Sequence, residues 1–292
     1  MTMLFMKKKY QLERFFVTWL MILFMILTDA FTAFAQVKQA TFLVNGISCD
    51  LEQGILKVEF VTPDVVRVQY TGENTFIGNG TDVCLPRAVD NPVRWVYTPN
   101  PDCYLLKSDS LIVRVDLSTA SITYLDKEGG LLLQEDQNIP RISEKRVTKQ
   151  VIYDEHSKHI EKTADGDKEI KNVLRYDTIG HTWKYRINFK WQPLEALYGW
   201  GAHMEDYMNL RGKELYLCQH NLKAMVPVLN STAGYGLLFD AGCAMMFKDN
   251  SEGSFVELEA AKQIDYYFMK GKTMDAVVAN YRLLTGNSPM MP

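Results

Sequence analysis

The sequence predicts an all-β sandwich closed by one C-terminal helix. Three observations carry that expectation. Many short runs alternate apolar and polar residues between turn-forming clusters, one late segment has convincing helical periodicity, and nothing alternates strand with helix as a parallel sheet requires.

The elements follow in chain order. Residues 55–61 alternate cleanly, and 64–70 follow with Val65, Val66, Val68 and Tyr70; Pro63 sits between them, at a turn where its missing amide costs nothing. Residues 111–115 and 121–125 make two more strands, and 126–130 supply turn chemistry before a strand over 131–134. Strands at 151–153 and 170–174 flank a polar stretch containing Asp165-Gly166, a strong hairpin signal. The charged segment 141–171 therefore reads as a long exposed hairpin. Residues 185–189, 226–229 and 235–239 complete the strands, the last entered through Gly234. Thr273 caps the helix, Asp275 suits the positive end of its dipole, and Val277, Val278, Tyr281 and Leu284 share a face. Gly286 ends it and Pro289 prevents a restart.

Residues 1–35 read as a signal peptide rather than as part of the fold. Lys7, Lys8, Lys9 and Arg14 precede an apolar run over 15–27, and Ala33-Phe34-Ala35 offers a cleavage site before Gln36. The run is short for a bilayer span of about 20 residues. The protein is thus expected to be exported, periplasmic or secreted, with no membrane attachment after cleavage. Residues 36–292 form the domain, ending either at 292 or near 270, with 271–292 then a helix and linker. Removing the leader's four basic and two acidic residues leaves 28 basic and 33 acidic side chains, a net charge of −5. That balance gives no footprint for nucleic acid. Five cysteines (Cys49, Cys84, Cys103, Cys218, Cys243) show no zinc spacing, and no cofactor or metal is called for. A Cys84–Cys103 disulfide is open to an exported chain, but buried thiols are preferred because a chain this long needs no staple.

From residue 197 the sequence resembles a family. Tyr198-Gly199-Trp200-Gly201 is similar to the Tyr-Gly-x-Gly turn of glycoside hydrolase family 31, the α-glucosidases and α-xylosidases. Asn209-Leu210-Arg211-Gly212-Lys213, Gln219-His220-Asn221, Val226-Pro227-Val228 and Gly234-Tyr235-Gly236-Leu237-Leu238-Phe239-Asp240 follow in order. Ile264-Asp265-Tyr266-Tyr267-Phe268, Gly271 and Leu284-Thr285-Gly286 complete the series, and upstream 122–135 resembles a hairpin of the family. The resemblance covers roughly 40–292 and is nearest the bacterial xylosidase branch. It implies a galactose-mutarotase-like β-sandwich, the N-terminal domain of an α-glycosidase. Gly199 and Gly201 are expected to take positive φ or a close backbone approach, and Gly234 and Gly236 to mark a bulge or close contact.

The resemblance also implies what the chain lacks. Retaining hydrolysis needs two carboxylates about 5–5.5 Å apart, and in family 31 both aspartates lie in a barrel of about 250 residues. Pro292 falls where the family pattern enters the first barrel strand, so no catalytic residue is carried over and this chain alone is expected to be inactive. Within the family, sandwich loops lean over the barrel mouth. Gln219, His220 and Asn221 are thereby candidates for the leaving-group sugar, with Trp200 or Tyr207 stacking on a ring and His203 nearby. This loop has Ala202-His203 where the family usually has Gln-His. His203, Glu205 and Asp206, or Asp154, Glu155 and His156, could be drawn as acid/base pairs or partial metal sites, but neither set has a third partner at diagnostic spacing. The expected partners are an oligosaccharide or α-glycoside and, if the enzyme is split, a separate barrel polypeptide. Two other readings stand beside this one: a free-standing carbohydrate-binding module, which needs an exposed aromatic platform, and an aldose epimerase, which needs a histidine and a glutamate converging on the concave face.

Overall fold

A computed structural model describes residues 36–78, 83–85 and 92–288. The leader expected over 1–35 lies outside the described residues, as do Pro289 and the Met290-Met291 tail. The strands, in chain order, begin with β1 (Val37–Phe42), β2 (Gly46–Leu51), β3 (Ile55–Thr62), β4 (Val65–Thr71), β5 (Val96–Pro99), β6 (Cys103–Lys107) and β7 (Leu111–Asp116). Next come β8 (Ile122–Asp126), β9 (Leu131–Glu135), β10 (Arg141–Tyr153), β11 (His159–Thr163), β12 (Gly166–Ile170) and β13 (Val173–Lys190). The last are β14 (Leu197–Ala202), β15 (Glu214–Leu217), β16 (Ala224–Ser231), β17 (Tyr235–Phe239), β18 (Met245–Asn250), β19 (Gly253–Ala261) and β20 (Ile264–Lys270), followed by helix α1 (Met274–Thr285).

Two antiparallel sheets face each other. One runs β1-β2-β3-β4-β20-β17-β16-β14 and the other β15-β18-β19-β13-β9-β8-β7-β6-β5. Strand alternation sends Tyr266 and Phe268 of β20 inward, where Phe268 stacks on Tyr124 of β8 with ring centroids 4.0 Å apart. Tyr235 and Phe239 of β17 pack beside them, and Trp200 of β14 sits between Phe239 and Phe247 of β18. Truncating one such ring to alanine costs about 3–5 kcal/mol. The outer face of β20 is buried too, because α1 lays Val277 and Leu284 over Tyr267, Met269 and Cys84. This double burial encloses one paired polar cluster: Arg67 donates to Asp265 at 2.6 and 2.9 Å, and Gln69 donates to the same carboxylate at 2.8 Å.

The helix forms as expected. The Thr273 hydroxyl accepts from the Ala276 amide, and Gly286 leaves the helix at φ +95°. Val278 departs from the expected buried face: it is exposed, while Val277 and Leu284 are fully covered. Cys84 and Cys103 form no disulfide; both are buried, and burial pushes the Cys49 thiol up to about 12.

The charged hairpin is longer than the sequence suggested. β10 pairs with β13 from Arg141↔Ile187 to Tyr153↔Val173, with two register shifts, and the short β11–β12 hairpin turns at Thr163↔Gly166 beyond it. Past Trp183 this pair leaves the body as a ribbon. Glu73, just after β4, grips its base, accepting from Trp183 Nε1 at 3.0 Å and pairing with His181 Nε2 at 3.1 Å and Lys145 Nζ at 3.4 Å. These contacts, the Trp183 indole first, hold its carboxyl below the usual range.

Candidate functional site

The stretch expected to be a Tyr-Gly-x-Gly turn runs as strand β14, bent by three successive residues with positive φ: Gly199 at +125°, Trp200 at +63° and Gly201 at +96°. A Cβ on Gly201 would lie 1.9 Å from the Ala224 carbonyl oxygen of β16, so only glycine lets the two strands approach there. Pairing of Ala202 with Ala224 brings the loop after β14 against the loop between β15 and β16. A cavity of about 750 Å³ opens between them, lined by His203, Gln219, His220, Asn221 and Lys223. Four of the six candidate sugar contacts are therefore gathered in one place.

The other two are not. Trp200 is fully buried between Phe239 and Phe247 and offers no face to a sugar; its positive φ turns the side chain into the core. Tyr207 lies away from the cavity, its ring under Lys213 Nζ at 4.9 Å and its hydroxyl 3.4 Å from the Glu214 carbonyl.

Within the cavity the residues divide by task. Gln219 holds the loop: its Nε2 donates to the Lys223 carbonyl at 2.7 Å, and its Oε1 accepts from the Met225 amide at 3.0 Å. Lys223 is tied to the first loop through Glu205, 2.6 Å away, which lowers the Glu205 carboxyl. His220 Nδ1 accepts from the Leu222 amide at 3.3 Å. Asn221 is exposed and, among the described residues, its amide makes no hydrogen bond. His203 is nine-tenths buried, 3.9 Å from Glu205 Oε2, and neither ring nitrogen reaches solvent or a hydrogen-bond partner. The His203 ring thus lines the cavity without presenting a nitrogen to it.

The other motifs serve architecture. Arg211 bonds Asp249 at 3.0 Å and the carbonyls of Gln192 and Glu195 at 2.8 and 2.9 Å, while Asn209 accepts from the Leu197 amide. Tyr235 donates to the buried Glu195 at 2.8 Å. A Cβ on Gly236 would sit 2.4 Å from Val277 Cγ1, so this glycine lets α1 close on β17. Asp154 accepts from the His156 amide at 2.9 Å and Glu155 pairs with Lys171 at the exposed end of the ribbon. Among the described residues no three His, Cys, Asp or Glu side chains are placed to hold a metal ion. Glu205, the tether of the loop, could be found in sequence only by its nearness to His203; its partner Lys223 carried no signal.

Comparison with known proteins agrees with this geometry. Residues 55–247 match the glycosyl hydrolase 31 N-terminal galactose mutarotase-like domain. An α-xylosidase of Saccharolobus solfataricus is 24% identical over 246 residues, 81% of this chain but 29% of its own length. Among solved structures, a family 31 dextranase of Flavobacterium johnsoniae superposes with a TM-score of 0.67 at 19% identity, over 89% of this chain and 29% of that one. A family 31 α-xylosidase of Xanthomonas citri gives 0.65 at 14% identity, over 86% and 41%. The chain thus spans under a third of the curated α-xylosidase it matches, and the described residues hold no catalytic barrel. With the family pattern matched over residues 55–247, this chain belongs to the glycosyl hydrolase 31 N-terminal domain family.

Proposed function

We propose that this domain serves an exported α-glycosidase, of the α-xylosidase type, by completing the sugar site at the mouth of a catalytic barrel. The observation that carries the reading is the cavity between the 203–209 and 218–223 loops, where Asn221 presents an uncommitted amide to solvent. Gln219, Lys223 and Glu205 fix the loop, so Asn221 and His220 are the groups left to meet sugar hydroxyls. Export is supported by the basic and apolar pattern of residues 1–35.

The test is hydrolysis of p-nitrophenyl α-xyloside and α-glucoside. This 292-residue chain alone is expected to be inactive, and the assembly purified from its source cell active. Asn221→Ala in that assembly raises KM about 5–10-fold, the loss of one net hydrogen bond of about 1 kcal/mol, with kcat little changed. Hydrolysis by the chain alone, or a source assembly without α-glycosidase activity, sinks the proposal.

A carbohydrate-binding module is the second reading, and one observation favours it. Phe42 is 53% exposed and stacks on Trp95, beside Tyr97, forming an aromatic patch where the edges of the two sheets meet. Isothermal titration of the chain with xylo- and malto-oligosaccharides decides it: binding lost in Phe42→Ala but kept in Asn221→Ala would favour this second reading.

A further inference from the structure

The ribbon formed by β10 and β13 beyond the body has two unlike faces. Residues directly opposite in an antiparallel pair share a face. Lys145 pairs with Trp183, Val147 with His181, Lys149 with Thr178, Val151 with Tyr176, and Tyr153 with Val173. All lie on the continuation of the face that buries Tyr185 and Ile187 inside the sandwich. The opposite face carries Glu144, Arg146, Gln150, Arg175, Asp177 and Lys184, with Ile142 and Ile152 among them. Along the ribbon the first face is open: Val147 and Tyr176 are each 61% exposed. Lys145 and His181 on this face are already paired with Glu73 at the base, and Lys149 lies farther out. A two-stranded ribbon is marginal in water by itself, so a face exposing Val147, Tyr153, Val173 and Tyr176 points to a body that covers it.

We infer that this largely apolar face docks on the catalytic barrel of the enzyme, beside its mouth; the inference rests on the function proposed above. Position is the first argument. β19 ends at Ala261, which pairs with Trp183 at the ribbon's base, and after Lys262 and Gln263 β20 begins at Ile264, paired with Tyr70. Phe239, at the end of β17, pairs with Tyr266 near that start of β20, and Ala202 and Ala224 lie at the matching ends of β14 and β16. The ribbon and the cavity loops therefore project from the same end of the sandwich. Area is the second argument. The face is about 30 Å by 10 Å, so a second copy docked on it would bury roughly 600 Å² in total, about half of what a specific stable interface needs. A barrel joined to the sandwich escapes that threshold through its high effective concentration, and in the matched α-xylosidase such a domain is under a third of a single longer protein.

Site-specific photocrosslinking in the source cell tests the inference. The full gene product carries p-benzoylphenylalanine at Tyr176, at Lys149 on the same face, at Gln150 on the opposite face, or at Asn221 in the cavity loop. The expected result is crosslinking from positions 176, 149 and 221 to peptides of a family 31 barrel, with little or none from position 150. Crosslinks from 176 and 149 to a second copy of residues 36–288, to an unrelated protein, or to nothing, while 221 reaches a barrel, would overturn the ribbon inference and leave the proposed function standing. No barrel crosslink from any position, 221 included, overturns both. All four positions are exposed, and an unchanged thermal melt confirms that each variant folds.

Discussion

At Gly201 a backbone carbonyl stands where a side chain would begin. An alanine there meets the Ala224 oxygen at 1.9 Å and is held at φ +96°, and relief requires β14 to part from β16. Gly212 has a similar φ, +72°, with nothing within 4 Å of its would-be Cβ. Gly212→Ala should therefore cost about 1–2 kcal/mol, the left-handed penalty alone. Gly201→Ala should cost clearly more and disturb the 218–223 loop; paired thermal melts check the contrast, and equal losses would mean the β14–β16 contact is not tight. Gly199 and Gly201 were legible in the sequence because glycine has few reasons to stand beside bulky aromatics. Trp200 was not: an indole between two glycines reads equally well as a stacking platform or as a core residue. Its backbone conformation, which turns it inward, is set by a pairing with β16 that begins more than 20 residues away.

At the scale of elements, strands with clean alternation and the capped helix were readable, whereas β1, β2, β5, β6, β14, β15, β18, β19 and β20 were not identified as strands. β20 shows why. It is buried on both faces, one by the opposite sheet and one by α1, so it has no polar alternation to read. The hairpin was visible through Asp165-Gly166, but its register was not, since two bulges shift the pairing of β10 with β13. The grip of Glu73 on the ribbon's base is open to test by pH. Its carboxyl is held below the ordinary value of 4.5, so the grip is complete above that value and is lost as pH falls through the lower folded-state value. Acid should accordingly shift the fluorescence of Trp183, and the step should vanish in both Glu73→Gln and Trp183→Phe. A step that persists in Glu73→Gln would assign the grip to another group.

For the whole molecule, the ordered series of motifs revealed the family, while the strand order of the sheets stayed hidden because neighbours such as β4 and β20 are remote in sequence. The aromatic layer between the sheets ties these distant parts together. Phe268 stacks on Tyr124 from the facing sheet and on Tyr235 from its own. Phe268→Ala is expected to lose about 3–5 kcal/mol and to lower one cooperative denaturation midpoint seen equally by fluorescence and circular dichroism. Two separated transitions would show instead that the sheets unfold independently.

The adjacency of β4 and β20 has a consequence for the order of events in synthesis. The Arg67–Asp265 contact joins residues 198 positions apart, and β4 has no neighbour on that side until Ile264–Lys270 has been made. The first sheet thus cannot close until residue 270 has left the ribosome, and pairing at such separation is slow once it becomes possible.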